Sequence, residues 1–255
     1  MKKLKVKDLW FSYSKTPVLK EINFSADKND FVVVVGPNGS GKTTLIKCIN
    51  KILNHKNGLV QVDNISTKSM SQNEIARTIG YVPQRGYYTF TTTIFDIVLM
   101  GRKPYAGWKP TETDLQKTSA ILEELNLGDI AMRNMHQLSG GQGQLSIIGR
   151  ALNQEPDILL LDEPTSSLDI KHQIEVLNVL KGLTKKGMLV ILAIHDLNLA
   201  LRYCNKIIMM KEGEIFTQGG LEVINEKTVE AVYEIKVDLI KHNNDIIVIP
   251  KTNNH

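Results

Sequence analysis

The chain has 255 residues, 42% of them hydrophobic, and its 31 basic and 27 acidic residues leave a net charge of +4. That length buries a full core in one large domain or two small ones, and so mild and scattered a charge excludes a nucleic-acid surface built on charge alone, though not a small anionic ligand. Cys48 and Cys204 form no CxxC pair, which excludes a disulfide framework and a zinc site and fits a reducing compartment.

In chain order, the segment MKKLKVKDLW alternates polar with apolar residues, as a half-buried strand does and the apolar core of a signal peptide does not. Leu4 and Val6, then Ile22 and Phe24 beyond a turn at Thr16 and Pro17, predict an antiparallel β layer. Phe31 to Val35 is a continuous, mostly β-branched run, the pattern of a strand buried on both faces. A glycine-rich turn carries it into a helical stretch over Thr43 to Leu53. Between Gln84 and Pro156 the spacing becomes helical, over 93–100, 112–127 and 142–152, with no buried strand.

Two more buried strands, Ile158 to Leu161 and Met188 to Ile194, enclose helical periodicity over Lys171 to Leu183, and strand, helix, strand in that order predicts a parallel sheet. Lys185 and Lys186 read as a solvated helix end. Past Asn205 come short strands about a turn at Glu212 and Gly213, a helix ending near Tyr233, and a hairpin turning at Asn243 to Asp245. The apolar runs FVVVV and MLVILAI fall far below the ~20 residues of a membrane helix. The expected fold is α/β: a mostly parallel sheet, an N-terminal antiparallel β layer and a helical insertion. Residues 1–235 are expected to form one domain with the insertion at about 85–155, and 236–255 a short C-terminal β extension of it.

Chemistry concentrates in a few motifs. GPNGSGKTT, comprising Gly36, Pro37, Asn38, Gly39, Ser40, Gly41, Lys42, Thr43 and Thr44, matches GxxxxGK[ST] between a buried strand and a helix. Its glycines let backbone N–H groups curl round phosphates at a helix N-terminus, Lys42 reaches the β- and γ-phosphates, and Thr43 offers its hydroxyl to Mg²⁺. In ILLLDEPTSSLD, Asp162 ends an apolar strand where a metal is held through its waters, and Glu163 is placed to orient or deprotonate an attacking water. Gln84 in YVPQ can turn its amide oxygen to the metal or the water, and His195 in LAIHD can hydrogen-bond a γ-phosphate. His55, His136, His172, His242 and His255 have neither such placement nor metal-ligand spacing, and no role follows for them.

Together and in this order these motifs resemble the ATP-binding cassette family, the nucleotide-binding subunits of ABC transporters, along nearly the whole chain. LSGGQ, Leu138 to Gln142, matches the family signature. The resemblance implies a P-loop NTPase core, ATP and Mg²⁺ as ligands, and Tyr13 in FSYS stacked on adenine. It further implies a head-to-tail homodimer in which Ser139, Gly140, Gly141 and Gln142 of one copy close on the γ-phosphate held by the other, with Asp169 at the subunit boundary. The implied partners are two separate transmembrane permease subunits and, indirectly, a substrate-binding protein, with the ATPase peripheral on the cytoplasmic membrane face and no nucleic acid involved.

The segment after Gln84 is where this family receives the permease, and Tyr87, Tyr88, Tyr105 and Trp108, with Arg102 as a surface charge, are the expected docking residues. MGRKPYAGW and HDLNLALRYCNKIIMMKEGEIFTQG look like the importers of iron chelates, haem and cobalamin, iron chelate foremost. Another importer class remains an alternative, as do a soluble cassette ATPase, against which the lack of heptads argues, and a subunit that binds ATP only to dimerise, against which Glu163 and His195 argue. The signature departs from the family pattern after Gln142: Gly143 and Leu145 replace basic residues, and Gly149 stands where alanine is commoner. Each helical glycine costs about 1 kcal/mol relative to alanine, which predicts a looser helix behind the loop.

Overall fold

Apolar alternation at the N-terminus becomes β1 (Lys3–Ser12) and β2 (Pro17–Asp27), paired antiparallel with Leu4 opposite Ala26 and Val6 opposite Phe24. A bulge at Asp8, whose φ is 48, resets the alternation so that Leu9 is buried along with Leu4 and Val6. The computed structural model describes residues 3–84, 92–105, 109–243 and 245–251. Two units make up the chain, Met1–Ser69 with Ile191–His255 and Met70–Val190.

In the first unit, β3 (Phe31–Val35) is buried at every residue and leads into α1 (Lys42–Ile49). The helix predicted to Leu53 stops at Ile49 because Lys51 takes a left-handed φ of 55 and its N–H turns back to Cys48. β4 (Asn57–Val62) then pairs with the other edge of β1 and is followed by β5 (Ile65–Ser66), in the order β2-β1-β4-β5. Neither β4 nor β5 was among the expected strands.

The second unit opens with α2 (Gln72–Thr78), started by a capping box of Ser71 and Glu74, and β6 (Ile79–Val82). The helical spacing that follows becomes α3 (Ile94–Leu99), α4 (Glu112–Glu124) and α5 (Gly140–Leu152), joined through Ile97, Val98, Leu122, Leu125 and Ile148, all buried. β7 (Ile158–Asp162) runs parallel to β6 with Tyr81 opposite Leu160. α6 (Ile170–Lys185) and β8 (Leu189–Ala193), whose residues fall to both units, complete it.

Arg102 is not the surface charge that was expected. It is 4% exposed, its Nε donates to Asp114 at 2.9 Å, and one terminal nitrogen donates to the Asn153 carbonyl and to Glu155 at 2.9 and 3.0 Å. The Tyr105 ring lies between the Arg77 and Arg102 guanidinium groups, 4.6 and 4.1 Å from its centroid, and its hydroxyl donates to the Gln154 carbonyl at 2.9 Å. A guanidinium that loses water on entering a helical core must find fixed acceptors, and these three supply them. Of the other expected docking residues, Tyr87, Tyr88 and Trp108 lie outside the described residues.

Back in the first unit, α7 (Leu197–Tyr203) precedes β9 (Lys206–Lys211), parallel to β3 with Val33 opposite Ile207. β10 (Glu214–Gly219) returns antiparallel about the turn at Glu212 and Gly213. α8 (Glu226–Tyr233) and the hairpin β11 (Val237–His242) and β12 (Asp245–Pro250) follow, and Asn198 pins the hairpin by bonding both the N–H and the carbonyl of Val248. The sheet is thus mostly parallel with one antiparallel edge strand. No helix among the described residues is long and apolar enough to cross a membrane.

Candidate functional site

In the first unit β3 delivers the chain into the turn Gly36 to Gly41. Gly36 has φ +148, and a Cβ there would lie 2.2 Å from the Met210 carbonyl oxygen, so only glycine lets the loop begin this close to β9. Gly41, at φ 102, is the N-cap of α1 and brings no side chain to its free N–H groups, which therefore remain for an anion. Lys42 is 5% exposed, and its ammonium donates to the carbonyls of Gly36 and Pro37 at 2.9 and 3.0 Å. A buried cation held by its own loop's carbonyls is ready to trade them for phosphate oxygens. Ser40 is buried without a hydrogen bond from its hydroxyl to any described residue, while Asn38 and Gly39 are exposed.

Tyr13, just past β1, is 63% exposed and meets Phe11 edge-on at 4.9 Å. Its face is open for stacking, and its hydroxyl sits 3.5 Å from the Thr44 hydroxyl, which ties the ring to the first turn of α1. His195 follows β8 at an exposed position, before Asp196 caps α7 by accepting from Leu199 N–H at 3.0 Å.

In the second unit β7 ends on Asp162, 2% exposed, and Glu163, 8% exposed. Glu163 has φ 51, a left-handed conformation that costs a non-glycine residue about 1 kcal/mol or more and turns its side chain out of the strand's alternation. The Gln84 carboxamide donates to Glu163 Oε2 at 2.6 Å. Asp162 acts on Tyr81 of the neighbouring strand: burial, and after it the Asp162 charge, push that phenol up to about 12.

Ser139 is the N-cap of α5 in a capping box with Gln142: Gln142 N–H donates to the Ser139 hydroxyl at 3.3 Å, and Ser139 N–H to the Gln142 carboxamide oxygen at 3.2 Å. Ser139 and Gly140 face solvent, but Gly141 is buried, and a Cβ on it would lie 2.2 Å from His172 Cδ2. His172, to which the sequence assigned no role, also bonds Asp169, whose Oδ1 accepts from His172 N–H at 2.9 Å and lies 2.8 Å from Nδ1. These bonds, the backbone one first, hold the Asp169 carboxyl below its usual range. The second unit therefore brings Gln84 to Glu163, and Gly141 to Asp169 through His172. The Asp-x-x-His spacing at a helix start was the available signal for that link.

The family model for the ABC transporter matches residues 19–166. An uncharacterized ABC transporter ATP-binding protein of Methanocaldococcus jannaschii is 44% identical over 97% of both chains. A probable iron chelatin transport ATP-binding protein of Helicobacter pylori is 34% identical over 96% of this chain and 98% of its own. A solved structure described as an inward-facing ABC transporter of metal-chelate type superposes with a TM-score of 0.86 at 30% identity over 98% of both chains. A dimeric bacterial ABC transporter cassette gives 0.74 at 30% identity over 86% of this chain and 98% of its own.

Proposed function

The chain belongs to the ABC transporter family as one of its ATP-binding subunits, and from that premise we propose that it hydrolyses ATP to drive import of an iron chelate through separate permease subunits. It works at the membrane surface as a peripheral protein. The observation that carries the hydrolytic part is the 2.6 Å bond between Gln84 and Glu163 at the end of a buried strand, a carboxylate and an amide held together with no cation on either. The iron-chelate assignment rests on the relatives named for that cargo.

Tyr13 stacks on adenine, and the N–H groups of Gly36 to Thr44 receive the phosphates. Lys42 exchanges its two carbonyl partners for β- and γ-phosphate oxygens, and His195 bonds the γ-phosphate. Glu163 takes the proton of the attacking water, with Gln84 fixing its direction. The donors fit magnesium: the Thr43 hydroxyl, the Asp162 carboxylate and the Gln84 amide oxygen are hard oxygen ligands, and no cluster of three or more His, Cys, Asp or Glu among the described residues favours another metal. Bound by them, Mg²⁺ neutralises charge on the phosphates.

Two copies close around two ATP molecules, as the dimeric cassette supports. Ser139 and Gly141 of one copy meet the γ-phosphate held by the other, contacts that ADP cannot supply, so closure follows ATP and opening follows hydrolysis. Ile170, 74% exposed beside Asp169, is an apolar side chain suited to burial at that boundary. The test is Glu163→Gln with Mg·ATP: it should bind nucleotide, hydrolyse little and run as a dimer by light scattering. Turnover at the parent rate would remove Glu163 from this role.

A further inference from the structure

α8 ends on Tyr233, and that side chain enters the first unit instead of solvent. The helix is fixed by Val229 and Val232, each 1% exposed, and by Lys211, whose ammonium donates to the Ala231 carbonyl at 2.7 Å and to Glu234 at 2.9 Å. Glu234 closes the helix at a left-handed φ of 61. The Tyr233 hydroxyl is buried and makes no hydrogen bond of full geometry to any described residue. It lies against the backbone of Gly36; burial pushes the phenol up to about 12, and the Gly36 N–H acts in the other direction. Buried hydroxyls are rarely left unpaired, because each forfeits its bonds to water.

Gly36 is gripped on its other sides. The Met210 carbonyl oxygen stands 2.2 Å from where its Cβ would be, and its own carbonyl accepts from Lys42 at 2.9 Å. Should nucleotide draw Lys42 to its phosphates, that carbonyl loses its donor. The Tyr233 O–H is a buried donor beside the same residue with no other partner among the described residues.

We propose that Tyr233 is a positioning residue for the phosphate loop, its hydroxyl bonding the Gly36 backbone when Lys42 turns to nucleotide, so that α8 and the C-terminal hairpin take part in ATP binding. The proposal rests on the phosphate-loop reading of Gly36 to Thr44. It deepens that reading by assigning the loop a support from a helix almost two hundred residues away in sequence.

Tyr233→Phe keeps the ring and removes only the hydroxyl. With the full chain, the Kd and KM for Mg·ATP should rise about three- to tenfold, the value of one neutral hydrogen bond, with kcat at saturating ATP within about twofold and the unliganded Tm not lowered. Tyr233→Leu should weaken ATP equally or more and also lower Tm. A Tyr233→Phe protein with the parent Kd and KM, or with kcat lost and KM unchanged, overturns the proposal. Lys42→Ala measured alongside separates the two readings. If it binds ATP like the parent, the phosphate loop is misassigned and the proposal falls with it; if it is defective while Tyr233→Phe is normal, only the role of Tyr233 is refuted.

Discussion

The Gln84 carboxamide donates to Glu163 Oε2 at 2.6 Å, and Glu163 itself is held at φ 51 just beyond β7. One oxygen of the proposed base is thus occupied by Gln84, and its direction is set by an amide from the end of the neighbouring strand β6. Gln84→Ala should lower kcat about ten- to hundredfold, less than the 10²–10⁴-fold effect of losing a general base, while the Kd for ATP changes little. Gln84→Glu places a second carboxylate against the first, which raises the pKa of the pair. Its pH–rate profile should therefore lose activity on the acid side at a higher pH than the parent. Unchanged steady-state phosphate release in both variants would detach Gln84 from the chemistry.

Much of this was legible in the chain because the signals were local. FVVVV is buried at every residue, the GPNGSGKTT turn leads into α1, and the Ser139-x-x-Gln142 spacing became the capping box that starts α5. Local signals failed where long-range partners decide. β4 has a mixed burial pattern and is a strand because β1 has a free edge for it. Arg102, read from its charge as a docking residue, is buried because Asp114 and Asn153, far apart in sequence, converge on it. His172 carries no motif, and its place between Asp169 and Gly141 comes from the packing of α5 on α6.

The buried pair of Arg102 and Asp114 makes a stability prediction. Asp114 sits at about 2, held there by the Thr111 backbone, then by Arg102 and the Thr111 hydroxyl. Its folded pKa lies below the ordinary carboxylate value, so its contribution is present above about pH 4 and is lost as pH falls toward 2. Asp114→Asn should destabilise the chain by about 3 kcal/mol at pH 7 by leaving Arg102 short of a partner, and the deficit should shrink at pH 3. Urea midpoints at the two pH values measure this; an equal deficit at both would contradict it.

The helical glycines divide by their surroundings. A Cβ on Gly143 would touch only Met135 at 3.8 Å, and one on Gly182 would meet nothing within 4 Å. Alanine at either should add about 0.5–1 kcal/mol. At Gly149 it would stand 3.0 Å from Leu125 and 3.1 Å from Val98, so overpacking should cancel or outweigh the helical gain. Gly149 is thus where α5 approaches its neighbours closely, and the expected loosening of that helix falls to Gly143. Thermal unfolding of the three alanine variants checks the order.

The contact between Gly141 and His172 predicts coupling. Gly141→Ala should cost about 2 kcal/mol through collision with the imidazole, and much less in a His172→Ala background, where the ring is gone. Additive losses in the double-mutant cycle would mean that the two do not constrain each other.

The most direct measurement is uptake of a ferric chelate into vesicles carrying this subunit reconstituted with its permease, with Mg·ATP supplied on the side of the ATPase. The proposed mechanism predicts uptake that requires ATP and is abolished by Glu163→Gln, although that variant still binds ATP and joins the complex. Uptake that continues undiminished with Glu163→Gln would contradict it.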